Sequence, residues 1–515
     1  MQQSSVFTYP SPMKKMDRRR FLRSTAAASA LAVPAVRTFA QATAASASTL
    51  QLHPGGHGPT IPSNFVGFSY EIEELSNSSF FSAQNTGLIE QFRSLSPNGV
   101  LRLGGNTSDV GWWKPTPSST APVMNIRNTG VGEPNAKLAY AITPQAITNL
   151  RAFLDATGWS CLFGINLGTN TPGRAADQSA FVAKTLGHKL DYFQIGNEPD
   201  LFRTHLRDPK TWNANTYFDE WSTMAHAIAA RVPGARFGLP DTAGNPDWYA
   251  AVVDRLLAMP PHTAPHIAAL THHYYFGGPP SNPKVNIDRL LQPDPHVLKL
   301  AHDITAAAAR LSAGIHEPVP YRMSEGNTCY RGGKPGVSDV FAASLWAADY
   351  LLLLASLGYC GVNLHGGSAQ QIANSLGGHL PGEDLLTNPN EPHPKPFYTP
   401  IADVNGRYVA EPVLHGMRFA QNFAGATMLP ITFNSGSVDA TAYAAKLPTG
   451  QTIVAVINKD SSHALPLDLP GYSVGHVMTA KSLTSTTVEE LEPSGNHEAS
   501  SVAPATAMLL YSSRA

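Results

Sequence analysis

From residue 65 to residue 367 the chain repeats one alternation, a short apolar run followed by a longer stretch whose apolar residues recur at helical spacing. Eight runs read as strands: FVGFSY (65–70), GVLRLGG (99–105), WSCLFGINL (159–167), DYFQIGN (191–197), ARFGLPD (235–241), HIAALTHHYY (266–275), VPYRMSE (319–325) and GYCGVNLHGG (358–367). Residues 144–157, 175–186, 212–231, 246–259, 296–311 and 339–357 read as amphipathic helices between them. Eight strands alternating with helices predict an α/β chain built on a (β/α)8 barrel. A doubly wound open sheet would call for a phosphate-binding glycine loop, and Gly104-Gly105 runs into Asn-Thr-Ser-Asp instead of a helix-opening GxGxxG.

Beyond the eighth run the pattern changes. Residues 368–396 are polar, with three Gly and five Pro, and read as a long loop over the barrel mouth. A last helix is expected at 412–423, and from 427 to 512 short alternating runs parted by Gly, Pro, Asn and Ser predict a small β-sandwich. The isolated segment STLQLH near Leu50 is expected to add a strand to it. The predicted organisation is a signal at 1–42, an N-terminal strand segment at 43–60, the barrel at 61–424 and the sandwich at 425–515.

Composition changes this picture in two places. DRRRFLR at 17–23, followed by a short Ala-rich apolar run and Ala40-Gln41-Ala42, reads as a twin-arginine export signal, so the chain is expected to be exported to the periplasm or secreted, with that export machinery as a partner. The run is too short to span a bilayer. Residues 1–42 hold seven of the 36 Lys and Arg and one of the 37 acids, which leaves the remainder with a net charge of about −7. That balance offers no footprint for nucleic acid and no overall attraction for a sulfated polyanion. Cys161, Cys329 and Cys360 have no metal-ligand spacing and cannot all pair; free thiols are expected, with Cys161 and Cys360 packed in strands.

The chemistry points to two glutamates. Glu198 ends the fourth predicted strand and Glu325 the seventh, 127 residues apart, and parallel strands of one barrel end on one rim. A carboxylate at the end of a buried strand is costly to desolvate, so it has either a structural partner or a chemical task. Two of unequal pKa are the tools of glycoside hydrolysis, one donating a proton to the leaving oxygen and one attacking the anomeric carbon. Arg102, inside the second strand, is a candidate to keep the nucleophile ionised; a structural ion pair in the barrel is the other reading, and the two are compatible.

The order RLGGN, GNEP, HHYY and SEGN resembles the clan of retaining (β/α)8 glycosidases. Within it, GFSYE (67–71), RLGGNTSD (102–109), FQIGNEPDLF (193–202), SEGNTCYRGG (324–333) and HGG (365–367) followed by YTPI (398–401) resemble glycoside hydrolase family 79, the β-glucuronidases and heparanase-like enzymes. The resemblance implies Glu198 as general acid/base and Glu325 as nucleophile, with Asn197 at the sugar 2-hydroxyl and Tyr275 beside the nucleophile. It also implies Asp109 and Glu71 in hydroxyl recognition, Tyr330 and Tyr398 as neutral donors to the substrate carboxylate, and His365 with Arg102 in support. About thirty residues separate HGG from YTPI, a departure from the compact family pattern. The expected activity is a retaining, exo-acting β-glucuronidase on a glucuronic-acid-containing oligosaccharide or glycoconjugate, with no cofactor and no metal. An endo-acting heparanase-like enzyme, a neutral-sugar β-glycosidase of the same clan and a non-catalytic carbohydrate-binding protein are the competing readings.

Overall fold

The computed structural model describes residues 48–126, 136–260, 262–380, 395–493 and 497–513. The export signal at 1–42 and residues 381–394 of the expected mouth loop lie outside them.

Eight parallel strands close into a barrel: Val66–Glu71, Val100–Gly104, Ser160–Ile165, Leu190–Ile195, Arg236–Thr242, His266–Tyr275, Tyr321–Asn327 and Val362–Gly366, with the last pairing back onto the first. Each matches a predicted run. These strands are buried on both faces, between barrel interior and helices, which is why they read as near-continuous apolar stretches. Two expectations shift at this level. The seventh strand continues through Gly326-Asn327, beyond the predicted run that ended at Glu325, because both residues still pair with Tyr274 and Tyr275 of the sixth. Cys360 is half-buried in the bend before the eighth strand; all three cysteines are free.

The helices begin and end where local chemistry dictates. Thr143 caps the helix Pro144–Thr157 by accepting from the Ala146 amide, Pro144 occupies the first turn, where no amide is needed, and Gly158 ends it in the left-handed region at φ 85°. Thr171 and Pro172 repeat the device at Pro172–Leu186, and Asn213 with Thr216 forms a reciprocal capping box before Ala214–Arg231. A helix not singled out from the sequence, Thr86–Leu95, joins the first two barrel strands and buries Leu88, Ile89, Phe92 and Leu95. No helix among the described residues is long and apolar enough to cross a membrane.

The C-terminal region forms a six-stranded antiparallel sheet, Thr427–Leu429, Ala440–Lys446, Thr452–Asn458, Thr506–Ser512, Tyr472–Thr479 and Glu489–Leu491 in spatial order. Its alternation serves two cores. Ala445, Ile453, Ala455, Ile457 and Leu509 join the barrel's apolar core, while Ala444, Val454, Val456 and Leu510 face away from it. The outer layer of the expected sandwich consists of two short ribbons: Leu465–Pro466 with Ser501–Val502, and the N-terminal strand Thr49–Leu52 paired antiparallel with Ile431–Asn434. The helix Phe341–Ser356 lies between sheet and barrel and is buried almost all round. Its Asp349 accepts from Thr441 Oγ1 at 2.8 Å, Tyr443 Oη at 2.6 Å and Lys459 Nζ at 2.9 Å on the sheet. The neighbouring helix Pro412–Gln421 approaches so closely that a Cβ on Gly416 would sit 2.1 Å from the Ser344 carbonyl oxygen.

Candidate active site

The strand ends bring Glu198 and Glu325 into one cavity of about 440 Å³ at the barrel rim. Their ligand atoms and one from His273 all lie within 4.8 Å of one another.

Glu198 follows Gly196 (φ 89°) and itself adopts φ 47°, a left-handed conformation that disfavours a residue with a side chain. Backbone bonds on both sides hold it there: its amide donates to the Asp241 carbonyl at 3.0 Å, and its carbonyl accepts from Leu201 at 2.8 Å as the turn Pro199–Thr204 begins. Its carboxylate, 15% exposed, meets His273 Nδ1 at 3.0 Å.

Glu325 is held differently. The register of the seventh strand slips between Met323 and Glu325, which redirects the side chain inward. Oε1 accepts from the Tyr275 hydroxyl at 2.7 Å, Oε2 accepts from Arg102 Nη1, and His365 Nδ1 lies 3.8 Å from Oε2. Burial alone would raise the carboxyl pKa, but His365, His273 and Arg102, together with the Tyr275 hydroxyl, outweigh it and bring it down to about 2.

Arg102, 1% exposed, is the hub beneath this site. Besides Glu325 it donates to Ser69 Oγ at 3.0 Å, Asn197 Oδ1 at 2.7 Å and Asp241 Oδ2 at 2.8 Å. Burial works against its charge, and the two carboxylates more than compensate, so it stays protonated. Asp241, not singled out from the sequence, also accepts from Gln194 Nε2 at 2.6 Å and Ser324 Oγ at 2.5 Å, and lies 3.0 Å from His273 Nε2. Against the upward push of burial, His273 and Arg102 hold Asp241 well below the usual carboxylate range. His273 is raised to about 10: burial works against its charge, but Asp241 and Glu325 outweigh it. Its two ring nitrogens face Glu198 and Asp241 at 3.0 Å each, and Arg102 Nη2 lies 3.3 Å from Nε2. A signal for Asp241 was present in the sequence, since it closes the predicted run ARFGLPD.

The other predicted residues divide. Glu71 lines the cavity; its Oε2 accepts from the Thr107 amide at 2.9 Å and hydroxyl at 2.6 Å, and His365 Nε2 lies 3.4 Å from Oε1. This packing needs a glycine at 105, where φ is 76° and a Cβ would lie 2.2 Å from Glu71 Oε2. Tyr275, Tyr330, His365 and Tyr398 also line the cavity. The buried Tyr398 ring stands 6.2 Å from that of Tyr275, despite the intervening insertion. Asn197 does not line it: Oδ1 is taken by Arg102 and the Gly105 amide, and Nδ2 donates to Asn106 Oδ1 at 3.2 Å. Asp109 lies in the turn Asn106–Val110 and is not among the cavity-lining residues; it is buried beside Gly168, 3.9 Å from His205 Nε2, with burial pushing its pKa up.

The mouth segment is also not wholly loop. Ala369–Ser375 is a helix, and Ser375 and Leu376 form part of the cavity wall. Buried acids tie it down: Glu73 Oε1 accepts from Asn374 Nδ2 at 2.6 Å and Glu74 Oε1 from the Ser368 amide at 2.8 Å. Burial raises Glu73 to about 7 and Glu74 to about 8.

Glu198, His273 and Glu325 are the only group among the described residues with the spacing to hold a metal ion. These groups are already engaged with protein partners, Glu325 with Arg102 and Tyr275 and His273 with Glu198 and Asp241.

No family model matches the chain. It is 26% identical over 324 residues to a β-glucuronidase of Aspergillus niger, an alignment covering 59% of this chain and 58% of that one. It is 27% identical over 358 residues to a β-glucuronidase of Neurospora crassa, covering 61% and 60% respectively. The chain thus spans less than two thirds of the length of either relative. Among solved structures, a 4-O-α-L-rhamnosyl-β-D-glucuronidase from Fusarium oxysporum superposes with a TM-score of 0.61, covering 89% of this chain and 98% of that one, at 15% identity. That likeness speaks for the barrel architecture.

Proposed function

We propose that the chain is a retaining, exo-acting β-glucuronidase of glycoside hydrolase family 79. The observation that carries this reading is the close approach, within 4.8 Å, of a carboxylate oxygen of Glu198 to one of Glu325 in a single cavity. A separation of about 5 to 5.5 Å between carboxyl groups suits double displacement, whereas inversion needs a wider gap to admit water.

In this reading Glu325, ionised and aimed by Arg102 and Tyr275, attacks the anomeric carbon as the glycosidic bond breaks, and Glu198 gives its proton to the departing oxygen. Glu198 then takes a proton from water, which attacks the same carbon and releases Glu325. The Tyr330 and Tyr398 hydroxyls are donors to the sugar carboxylate, and Glu71 is an acceptor for a ring hydroxyl. Ser375 and Leu376 add to the cavity wall, which supports exo over endo action in this reading. Export through the twin-arginine route belongs to the same proposal.

The test is turnover of an aryl β-glucuronide with the product anomer followed by NMR, beside the aryl β-glucoside and β-xyloside. A β-anomer formed first and a preference for the glucuronide support the reading; an α-anomer, or a preference for a neutral sugar, removes it. Labelling with a 2-deoxy-2-fluoro glucuronide followed by peptide mass spectrometry is expected to mark Glu325.

A further inference from the structure

Arg331 lines the cavity that holds Glu198 and Glu325 and is exposed. Among the described residues its guanidinium makes no hydrogen bond or ion pair, whereas Arg102, Arg151, Arg207 and Arg255 all find carboxylates. Its backbone sits at φ 64°, where a residue with a Cβ is disfavoured. That conformation is fixed from both sides. The Tyr330 amide donates to the Gly277 carbonyl at 3.1 Å, and the Gly332 carbonyl accepts from the Phe397 amide at 2.7 Å. A disfavoured conformation thus displays a charge that the described protein does not use, and such outliers cluster at ligand sites. The same cavity is lined by the acids Glu71, Glu198 and Glu325, which repel any anion approaching them.

We propose that Arg331 is the residue by which this cavity reads negative charge on its substrate, pairing its guanidinium with a carboxylate or sulfate. The fork of N–H donors matches such a group in a bidentate way, and its charge persists at every working pH. Because the side chain is exposed, its field is damped by water and salt before it reaches the anomeric centre, so it attracts the anion with little effect on positive charge developing at the reacting carbon. The proposal deepens the glucuronidase reading and rests on it for the kind of substrate. Two sources fit the chemistry: the carboxylate of the sugar being cleaved, or an acid on the neighbouring group.

The experiment compares wild type with Arg331→Gln, Arg331→Lys and Arg331→Gly in the full chain, the glycine variant relieving the backbone so that a loss there cannot come from misfolding. One arm measures kcat/KM on an aryl β-glucuronide against the matching β-glucoside, the other on aryl glucuronides with a sulfonated against a neutral leaving group. Arg331→Gln and Arg331→Gly are expected to lower the charged-over-neutral ratio about tenfold in one arm, through KM, with Arg331→Lys in between and the effect fading at high salt. A fall in the first arm places the anion on the cleaved sugar and a fall in the second on its neighbour; both support the proposal. Unchanged ratios in both arms overturn it. Equilibrium binding of D-glucuronate against D-glucose, wild type beside Arg331→Gln, needs no turnover and separates the two claims. Binding that depends on charge and on Arg331 without hydrolysis sinks the hydrolase reading alone, while hydrolysis indifferent to Arg331 sinks this one alone.

Discussion

Glu198 and Glu325 share a cavity and little else. Glu325 is an inward-turned strand residue held by Arg102 and Tyr275 and kept ionised far below neutral pH. Glu198 is more exposed, sits on left-handed backbone, and among the described residues has His273 as its side-chain partner. A nucleophile must be aimed and charged throughout, whereas an acid/base must gain and lose a proton each cycle, so it needs a looser setting. The two neighbourhoods differ in the way those tasks require.

Removing the nucleophile is the strongest way to break the comparison. Glu325→Gln is expected to lower kcat on an aryl glucuronide by roughly 10⁴-fold or more while the circular dichroism spectrum is unchanged. Wild-type turnover would remove Glu325 from the role of nucleophile.

Glu198→Ala is expected to cost about 10²- to 10⁴-fold on substrates with poor leaving groups and far less on activated aryl glucuronides, which need little proton donation. Equal losses across a leaving-group series would remove its acid role.

Asp241→Asn strikes the charge that balances Arg102 and His273. Leaving buried cations short of a partner costs about 3 to 5 kcal/mol, read as a fall in the denaturation midpoint. A midpoint within error of wild type would show that Glu325 alone balances the cluster.

The smallest effect concerns pH, and the two kinds of acid respond with opposite sign. Glu325 has a folded pKa, about 2, below its ordinary 4.5, so it contributes stability above pH 4.5 that is lost as pH falls toward 2. Glu73 and Glu74 have folded values of about 7 and 8, above 4.5. Their contribution is complete below pH 4.5 and declines as pH rises through 7 to 8. The hydrogen-exchange protection factors of the helix Ala369–Ser375, taken against the intrinsic rate at each pH, are therefore expected to fall between pH 6 and 9, and less so in Glu74→Gln. Protection factors there that do not change with pH would show that these acids do not hold the helix.

What was legible in the sequence follows from burial. Barrel strands covered on both faces leave unbroken apolar runs, so all eight could be located, and with them the rim where Glu198 and Glu325 meet. Asp241 escaped notice because LPDTAG also reads as an ordinary turn, and only the folded barrel shows four polar groups converging on its carboxylate. The surroundings of Asp109 were not legible, because spacing does not determine which way a side chain leaves a short 3-10 turn. The helix Ala369–Ser375 was hidden by the Gly and Pro that follow it. Its stability comes from Ile372, Ala373 and Leu376 packing against Tyr398, a contact made across the insertion.

The bond set of Asp349, reaching from the helix Phe341–Ser356 to Thr441, Tyr443 and Lys459, bears on how this protein could be engineered. A carbohydrate-binding appendage can often be trimmed away or grafted elsewhere, but this sheet roofs a helix that has hardly any wettable side of its own. A shortened version ending near residue 424 would bare that apolar surface and is expected to aggregate, so the smallest soluble unit includes both layers.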